Sequence, residues 1–577
     1  VLSSGGRLRR SLATINYKMG DVRDPSQEAG RPLGRTSLVA LACILIAFLA
    51  ISLQRDGAAG FGPFHDDTLY WSVAQSIADG RGAALPNLPG EPALTKYPPL
   101  YPYVLAAVRT AVADPDQALE VAAGLSGVSA AVGLLLWFLY LRRWKGIEEW
   151  EAVAVIALAA SSGIFLILSS ALLSDTLFFA LAAAALLAAD SPSKRAWVLA
   201  ALVGGLAVWT RTIGVALLGG IFISYWIAQR RREAVGFALL SAPMVASAVL
   251  AKVFAAAPGP GTESDAPAGY LQTWLYYADY AGFWRASVPD LDTLLAMLRM
   301  NVGEVVRAPA AILIGDPPPG PIGLVLWTTV TAAVFAGLYR QAKSDRLRAC
   351  HVAVAFSLPI VWLWNFEIGN RLLLLFLPLF AAGLWVEGRH AVGGFLRSVA
   401  PGRPTGDRVV SAVCLLLLAA GAFWSLDRKV GAAFAPPSDG GFGPRYAQIA
   451  AWMRSETPPD ARFVAIDDAY LYLATGRQGM WPLATTTDLR FLPTDESLEH
   501  QLDALPDVAR EIDARYLVWT TNDYAYAAPF AERWTSWAQS FPEVARSADG
   551  TVRVYDRGAE TVPAAPSSQG LGELTRR

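Results

Sequence analysis

The sequence predicts an α-helical polytopic membrane protein with a small α/β domain after its last span. Three observations carry that reading. The 577 residues are 54% hydrophobic and only 17% charged, far less charge than a soluble chain of this length carries. Apolar runs long enough to cross a hydrocarbon core of ~30 Å, about 20 residues each, recur between residues 36 and 426. Beyond residue 441 the pattern changes to helix-like stretches such as "RYAQIAAWMRSE" alternating with strand-like ones such as "RYLVWTT" and "VRVYDR", the signature of an α/β unit.

The elements follow in order. Residues 1–35 are polar and Arg-rich, and read as a disordered cytoplasmic arm. Eleven spans are expected at 36–53, 118–141, 151–169, 174–190, 196–210, 212–229, 234–256, 321–339, 349–366, 371–387 and 408–426. A first outer loop, 54–117, holds an acidic helix, a Gly/Pro-rich turn and "YPYVLAAVRTAVAD", too short to span and expected to lie in the interface. Pro98 and Pro99 cannot sit inside a regular helix, so Lys96–Pro102 is expected to form a fixed corner. A second outer loop, 257–320, is rich in Pro, Gly and aromatic residues, which suits an interfacial belt or a flap. Residues 441–557 form the α/β domain, and 558–577 a disordered tail.

Basic residues set the orientation. Six clusters, among them "RRWK" (142–145), "RRR" (230–232) and "RQAKSDRLR" (340–348), fall at every second connection. The positive-inside rule then puts the N-terminus in the cytoplasm and the α/β domain outside a plasma (inner) membrane. A net charge of −1 gives no footprint for nucleic acid. The three cysteines and four histidines are too scattered for a disulfide framework or a metal-ligand motif.

On this map Asp66, Asp67, Lys96, Asp175, Arg211, Glu367 and Arg371 all belong to the outer face, each near the end of a hydrophobic segment or in a loop. Charge at membrane depth is costly and is normally kept for a polar cavity. Several charges of both signs on one face therefore predict one cavity opening outward. Each residue also has a local reading. Asp66 and Asp67 suit a helix start, as does Asp175 after Ser174. Arg211 suits an interfacial anchor, and Glu367 and Arg371 are spaced to pair with each other.

Four stretches, "DDTLYWSVAQSIADGRG", "KYPPLYPYV", "SDTLFF" and "NRLLLLFLPLF", together resemble the GT-C membrane glycosyltransferases, in the branch of the protein O-mannosyltransferases and the lipid A aminoarabinose transferase. The resemblance implies a GT-C fold over residues 36–426 and transfer of a sugar from a polyprenyl-phosphate donor to an external protein, lipid A or glycan acceptor. It implies that Asp66, the first acid of the pair, accepts or orients the acceptor proton, with Asp67 and Tyr70 completing the motif. It also matches Asp175 to the family's acid at the start of the fourth span, and Arg371 with Pro378 to the Arg that opens a late span. Tyr97 matches the Pro-containing corner. Lys96, separated from Pro98 by Tyr97, departs from the branch's Lys-Pro pattern.

The chemistry is consistent with that implication. An acceptor attacking an anomeric carbon needs a carboxylate for its proton and cations at the departing phosphate. Arg371 suits the second task, with Arg211 or Lys96 beside it. Neighbouring carboxylates could instead hold a divalent cation, Mg or Mn. Two other readings are a non-catalytic subunit of the same fold and a transporter or lipid flippase, the latter expected to carry charges near the bilayer midplane.

Overall fold

The computed structural model describes residues 34–54, 61–62, 64–254, 273–274, 276–277, 290–315, 320–364, 371–399, 406, 409–416, 419, 442–482, 490–492, 494, 505–521 and 528–559. It is mainly helical, with one small sheet near the C-terminus. The first ten helices are α1 (Arg35–Gln54), α2 (Asp66–Ala78), α3 (Leu100–Ala111), α4 (Pro115–Leu141), α5 (Glu149–Ala160), α6 (Gly163–Ser169), α7 (Asp175–Ala189), α8 (Ala196–Thr210), α9 (Gly214–Ile227) and α10 (Arg231–Phe254). Then come α11 (Leu291–Ile314), α12 (Pro321–Ser344), α13 (Ala349–Trp362) and α14 (Leu377–Val399).

By length and composition three described helices, α1, α4 and α12, can each cross a membrane, and the bent pair α5–α6 makes a fourth. α7, α8, α9 and α13 are apolar but shorter. The stretch expected as a span at 151–169 is not one continuous helix: α5 and α6 meet at 72°. The break falls at Ser161-Ser162-Gly163, residues that favour kinks over a continuous helix. There Ser162 donates its hydroxyl to the Ile312 carbonyl of α11 at 2.7 Å instead of extending its own helix. The span expected at 408–426 lies largely outside the described residues, as do the N-terminal arm and the C-terminal tail.

The stretch expected as a second outer loop contains more order than its sequence suggested. α11 runs for 24 residues inside it, with Asp290 capping its start by accepting from the Thr293 amide. Met297, Asn301, Val305 and Ala308 face the bundle, and Asn301 donates to the carbonyls of Trp362 and Trp364. The helix expected to lie in the interface is α3, which buries Tyr101, Pro102, Leu105 and Ala106.

Small residues let the long helices approach closely, as membrane packing demands. Gly337 of α12 and Gly383 of α14 cross so tightly that a Cβ on either would overlap the other helix's backbone. At the end of the bundle reached by the last turns of α4 and α7, three of the basic clusters meet. Arg348 donates to the Arg143 carbonyl at 2.6 Å and pairs with Asp190 and Asp345. Gln341 donates to the Lys145 carbonyl, and Arg389 pairs with Glu151.

The C-terminal part contains α15 (Phe442–Glu456), β1 (Phe463–Val464), α16 (Asp468–Thr475), β2 (Gly479–Met480), β3 (Tyr516–Thr520), α17 (Ala528–Gln539), β4 (Glu543–Arg546) and β5 (Val552–Asp556). The strand order is β2-β1-β3-β5-β4, parallel over β2-β1-β3 and antiparallel over β3-β5-β4. Every residue of β3 is buried, because helices cover both faces of a central strand. Alternation separates the faces. Tyr516 and Val518 pack with Tyr446, Ile449 and Met453 of α15, while Leu517 and Trp519 lie with Trp534 and Trp537 of α17. Val464, Ala469 and Met480 extend that second apolar layer into the core of the helix bundle.

Candidate functional site

The site is assembled where α2, α7 and the entry to α14 converge under the Pro98 corner. α2 begins with a tight reversal. Gly62 takes φ +111° and His65 takes φ +54°, ψ −44°, with the Asp66 amide donating back to the Phe64 carbonyl. This is a γ-turn with positive φ at its centre, a strained conformation for a residue with a Cβ.

The turn sends the two adjacent carboxylates in different directions. Asp67 is fully buried and folds back on the chain, its Oδ2 accepting from the Gly62 amide and its Oδ1 from the Thr68 amide, each at 2.8 Å. Burial pushes its carboxyl up to about 6, against those two amides. Asp66 keeps 21% of its side chain exposed and faces the cleft. Its Oδ1 accepts from the Tyr97 hydroxyl at 2.6 Å and its Oδ2 from Arg371 at 3.3 Å. Burial raises the Asp66 carboxyl, but the Arg371 and Lys96 charges and the Tyr97 hydroxyl together outweigh it, so the group lies below the usual carboxylate range. Helical geometry explains the split, since adjacent residues point about 100° apart.

Arg371 bridges the cluster. One terminal nitrogen reaches Asp66 and the other donates to Asp175 Oδ2 at 3.0 Å. Arg211 pairs with the same Asp175 oxygen at 2.6 Å. Asp175 starts α7, where the helix dipole already favours an anion. Arg371 stands on an irregular stretch before the 3₁₀ turn Leu374–Phe376 that leads into α14. Among the described residues its Nε is buried with no hydrogen-bond partner, a donor whose acceptor is still to be supplied.

Tyr70 packs edge-on against Tyr97 and Tyr101 and shares a 3.2 Å hydrogen bond with Ser174. Burial first, then the nearby Asp66 charge, pushes its phenol well above its ordinary value, so it stays protonated. Lys96 is buried with its Nζ 3.6 Å from the centroid of the Tyr276 ring, a cation–π distance. Glu367 lies outside the described residues. Asp66, Tyr70, Tyr97, Pro98, Thr210, Arg211, Trp364 and Leu372 line a narrow cleft of about 30 Å³. That holds a water or two, so a sugar phosphate needs the cleft to widen.

No group of three or more His, Cys, Asp or Glu side chains able to hold a metal ion occurs among the described residues. A guanidinium stands between Asp66 and Asp175, where a shared cation would have to sit. The described residues therefore do not fit the divalent-cation expectation. Residues that the sequence did not point to also meet here. Ser174 meets Tyr70, and His65, Asn87 and Asp468 join just behind Asp66. The adjacent acids of "AIDDAY" after a strand were the available signal for Asp468.

No protein-family model and no curated protein sequence matches the chain. Solved structures do. The oligosaccharyltransferase of Archaeoglobus fulgidus, in complex with Zn and sulfate, superposes with a TM-score of 0.53 at 17% identity, over 89% of this chain and 73% of that one. The same enzyme, tethered to an acceptor peptide with the NVT sequon, gives 0.50 at 15% identity, over 89% and 74%. ArnT from Cupriavidus metallidurans bound to undecaprenyl phosphate gives 0.49 at 14% identity, over 93% and 100%. The fold is thus that of the GT-C membrane glycosyltransferases.

Proposed function

We propose that this chain is an integral membrane glycosyltransferase that moves a sugar from a polyprenyl-phosphate donor to an extracytoplasmic protein, lipid A or envelope-glycan acceptor. Asp66 is the base and the anomeric configuration inverts. The observation that carries this reading is the convergence of Asp66, Asp175, Arg211 and Arg371, from four distant stretches of sequence, into one ion-paired cluster beside a cleft. The fold supports it, being that of a transferase crystallised with an acceptor peptide and, separately, with Zn and sulfate.

In this reading the acceptor oxygen or nitrogen attacks the anomeric carbon and gives its proton to Asp66. The bond from that carbon to the phosphate oxygen breaks, and its electron pair leaves with the lipid phosphate. Arg371 and Arg211 meet the developing charge, the Nε of Arg371 supplying a donor that no described residue uses. Asp175 already accepts from both arginines, so it orients them and does not act as a nucleophile. A single displacement, hence inversion, fits a cleft on which Asp66 is the one carboxylate among the described lining residues. No step is routed through a metal.

The chain would cross the inner membrane about eleven times, N-terminus inside, with residues 36–426 as the catalytic domain and 441–557 as a domain outside. The grouping of basic clusters at the far end of α7, about 22 Å along a 15-residue helix from Asp175, supports that orientation. The test is to incubate the purified protein in liposomes with polyprenyl-phosphate sugars from membrane extracts and envelope acceptors, and to measure polyprenyl phosphate released. Acceptor-dependent release is expected; its absence across donor and acceptor pools would overturn the proposal.

A further inference from the structure

The strained turn that aims Asp66 is gripped from another part of the chain. His65 Nε2 lies 2.9 Å from Asp468 Oδ1, and its Nδ1 lies 3.3 Å from the Tyr276 hydroxyl. The imidazole edge meets the Trp481 ring with centroids 4.4 Å apart. Asp468 is fully buried at the start of α16. Its second oxygen accepts from Asn87 Nδ2 at 2.7 Å and from the Tyr277 hydroxyl at 3.0 Å. One carboxylate thus joins two points of the first outer loop, His65 and Asn87, to the second outer loop, through Tyr277. Two backbone amides tie β2 and the residue after it to the same loops: the Gly479 amide donates to the Asn87 carbonyl at 2.8 Å, and the Trp481 amide donates to the Tyr277 hydroxyl.

We infer that Asp468 is a positioning residue for sugar transfer: it holds His65 in the positive-φ turn that points the Asp66 carboxylate into the cleft. The inference rests on the reading of Asp66 as the base. Its logic is conformational. A positive φ at a residue with a Cβ persists only where its surroundings over-determine it. His65 is over-determined by two hydrogen bonds and a ring contact, all from groups outside the first loop. Without Asp468 the turn relaxes toward ordinary φ, and Asp66, the next residue, swings away from Tyr97 and Arg371. Among the described residues the Asp468 carboxylate bonds to His65, Asn87 and Tyr277, none of which lines the cleft, so its loss acts on turnover through geometry and leaves the phosphate ligands in place.

Glycine supplies the test, because it adopts positive φ at no steric cost. Turnover and donor KM are measured for Asp468→Ala, His65→Gly and the double variant in liposomes at matched protein levels. Asp468→Ala is expected to lower kcat about tenfold with donor KM within twofold of wild type. His65→Gly is expected to lose only a fewfold, and adding Asp468→Ala to it less than a further twofold. Asp468→Asn, which keeps the side-chain volume, is read in the same cycle. It is expected to lose severalfold on its own and less than twofold in the His65→Gly background, and it decides the question if Asp468→Ala fails to reach the membrane. Equal fold-losses with and without His65→Gly, an unchanged kcat, or a loss confined to KM would overturn the inference. Asp66→Asn is run alongside. If it stays fully active the base assignment itself fails; if it is inactive while the cycle is additive, only the role of Asp468 fails.

Discussion

Replacing Arg371 by Lys isolates what the guanidinium does. Its two terminal nitrogens reach two carboxylates, Asp66 at 3.3 Å and Asp175 at 3.0 Å, and its Nε has no partner among the described residues. A lysine ammonium keeps the charge but is a single point and cannot make the same bridge. At least one charge-assisted hydrogen bond is lost, at a cost of about 1.5–3 kcal/mol. With ~1.4 kcal/mol per decade of rate, Arg371→Lys should lower kcat/KM by about tenfold to somewhat over a hundredfold. Arg211→Lys loses a contact to Asp175 that Arg371 still makes, and should cost less than Arg371→Lys. The assay is release of polyprenyl phosphate in liposomes, with thermal unfolding measured in parallel. Wild-type kcat/KM in Arg371→Lys, or a loss explained entirely by unfolding, would refute the bridging role.

Three further outcomes are expected. Tyr97→Phe removes a 2.6 Å hydrogen bond that holds the Asp66 carboxyl down; because the base must be ionised, the acid limb of the kcat profile should move to higher pH, and an unmoved limb would contradict the assignment. Asp67 is raised from 3.8 to about 6 in the folded protein, so between those values the folded state holds the extra proton and stability through this group falls as pH rises. Thermal melts of Asp67→Asn from pH 4 to 7 should show that component of the slope gone. Gly337→Ala pushes a methyl against the Gly383 carbonyl and should lower stability by about 1–3 kcal/mol, read as a lower melting temperature; an unchanged melt would show that the two helices can part without loss.

Long uniform apolar runs were the most legible part of the chain. α1, α4 and α12 stand where the hydropathy put them, because a membrane span is written in composition alone. α11 was missed because Asp292, Arg299, Glu304 and Arg307 interrupt its sequence, and its order comes from one packed face and from Asn301 bonding to distant carbonyls. The bend between α5 and α6 depends on a tertiary acceptor, the Ile312 carbonyl, that no local pattern reveals. In the site, the charge map brought Asp66, Asp175, Arg211 and Arg371 to one face, and the structure joins these four directly. It could not tell Asp66 from Asp67, because that distinction depends on the φ of His65 and on the Gly62 amide. Nor could it find the Asp468 contact, which spans 403 residues.

The central claim is that one of two adjacent carboxylates handles the acceptor proton while its neighbour holds the turn. Sugar transfer by Asp66→Asn and Asp67→Asn, at matched folded protein, tests it most directly. Asp66→Asn should lose about 10²–10⁴-fold in turnover, the range for a general base, with donor binding kept. Asp67→Asn should retain transfer, since the Asp67 carboxylate faces the Gly62 and Thr68 amides and not the cleft. Transfer at the wild-type rate by Asp66→Asn would contradict the account.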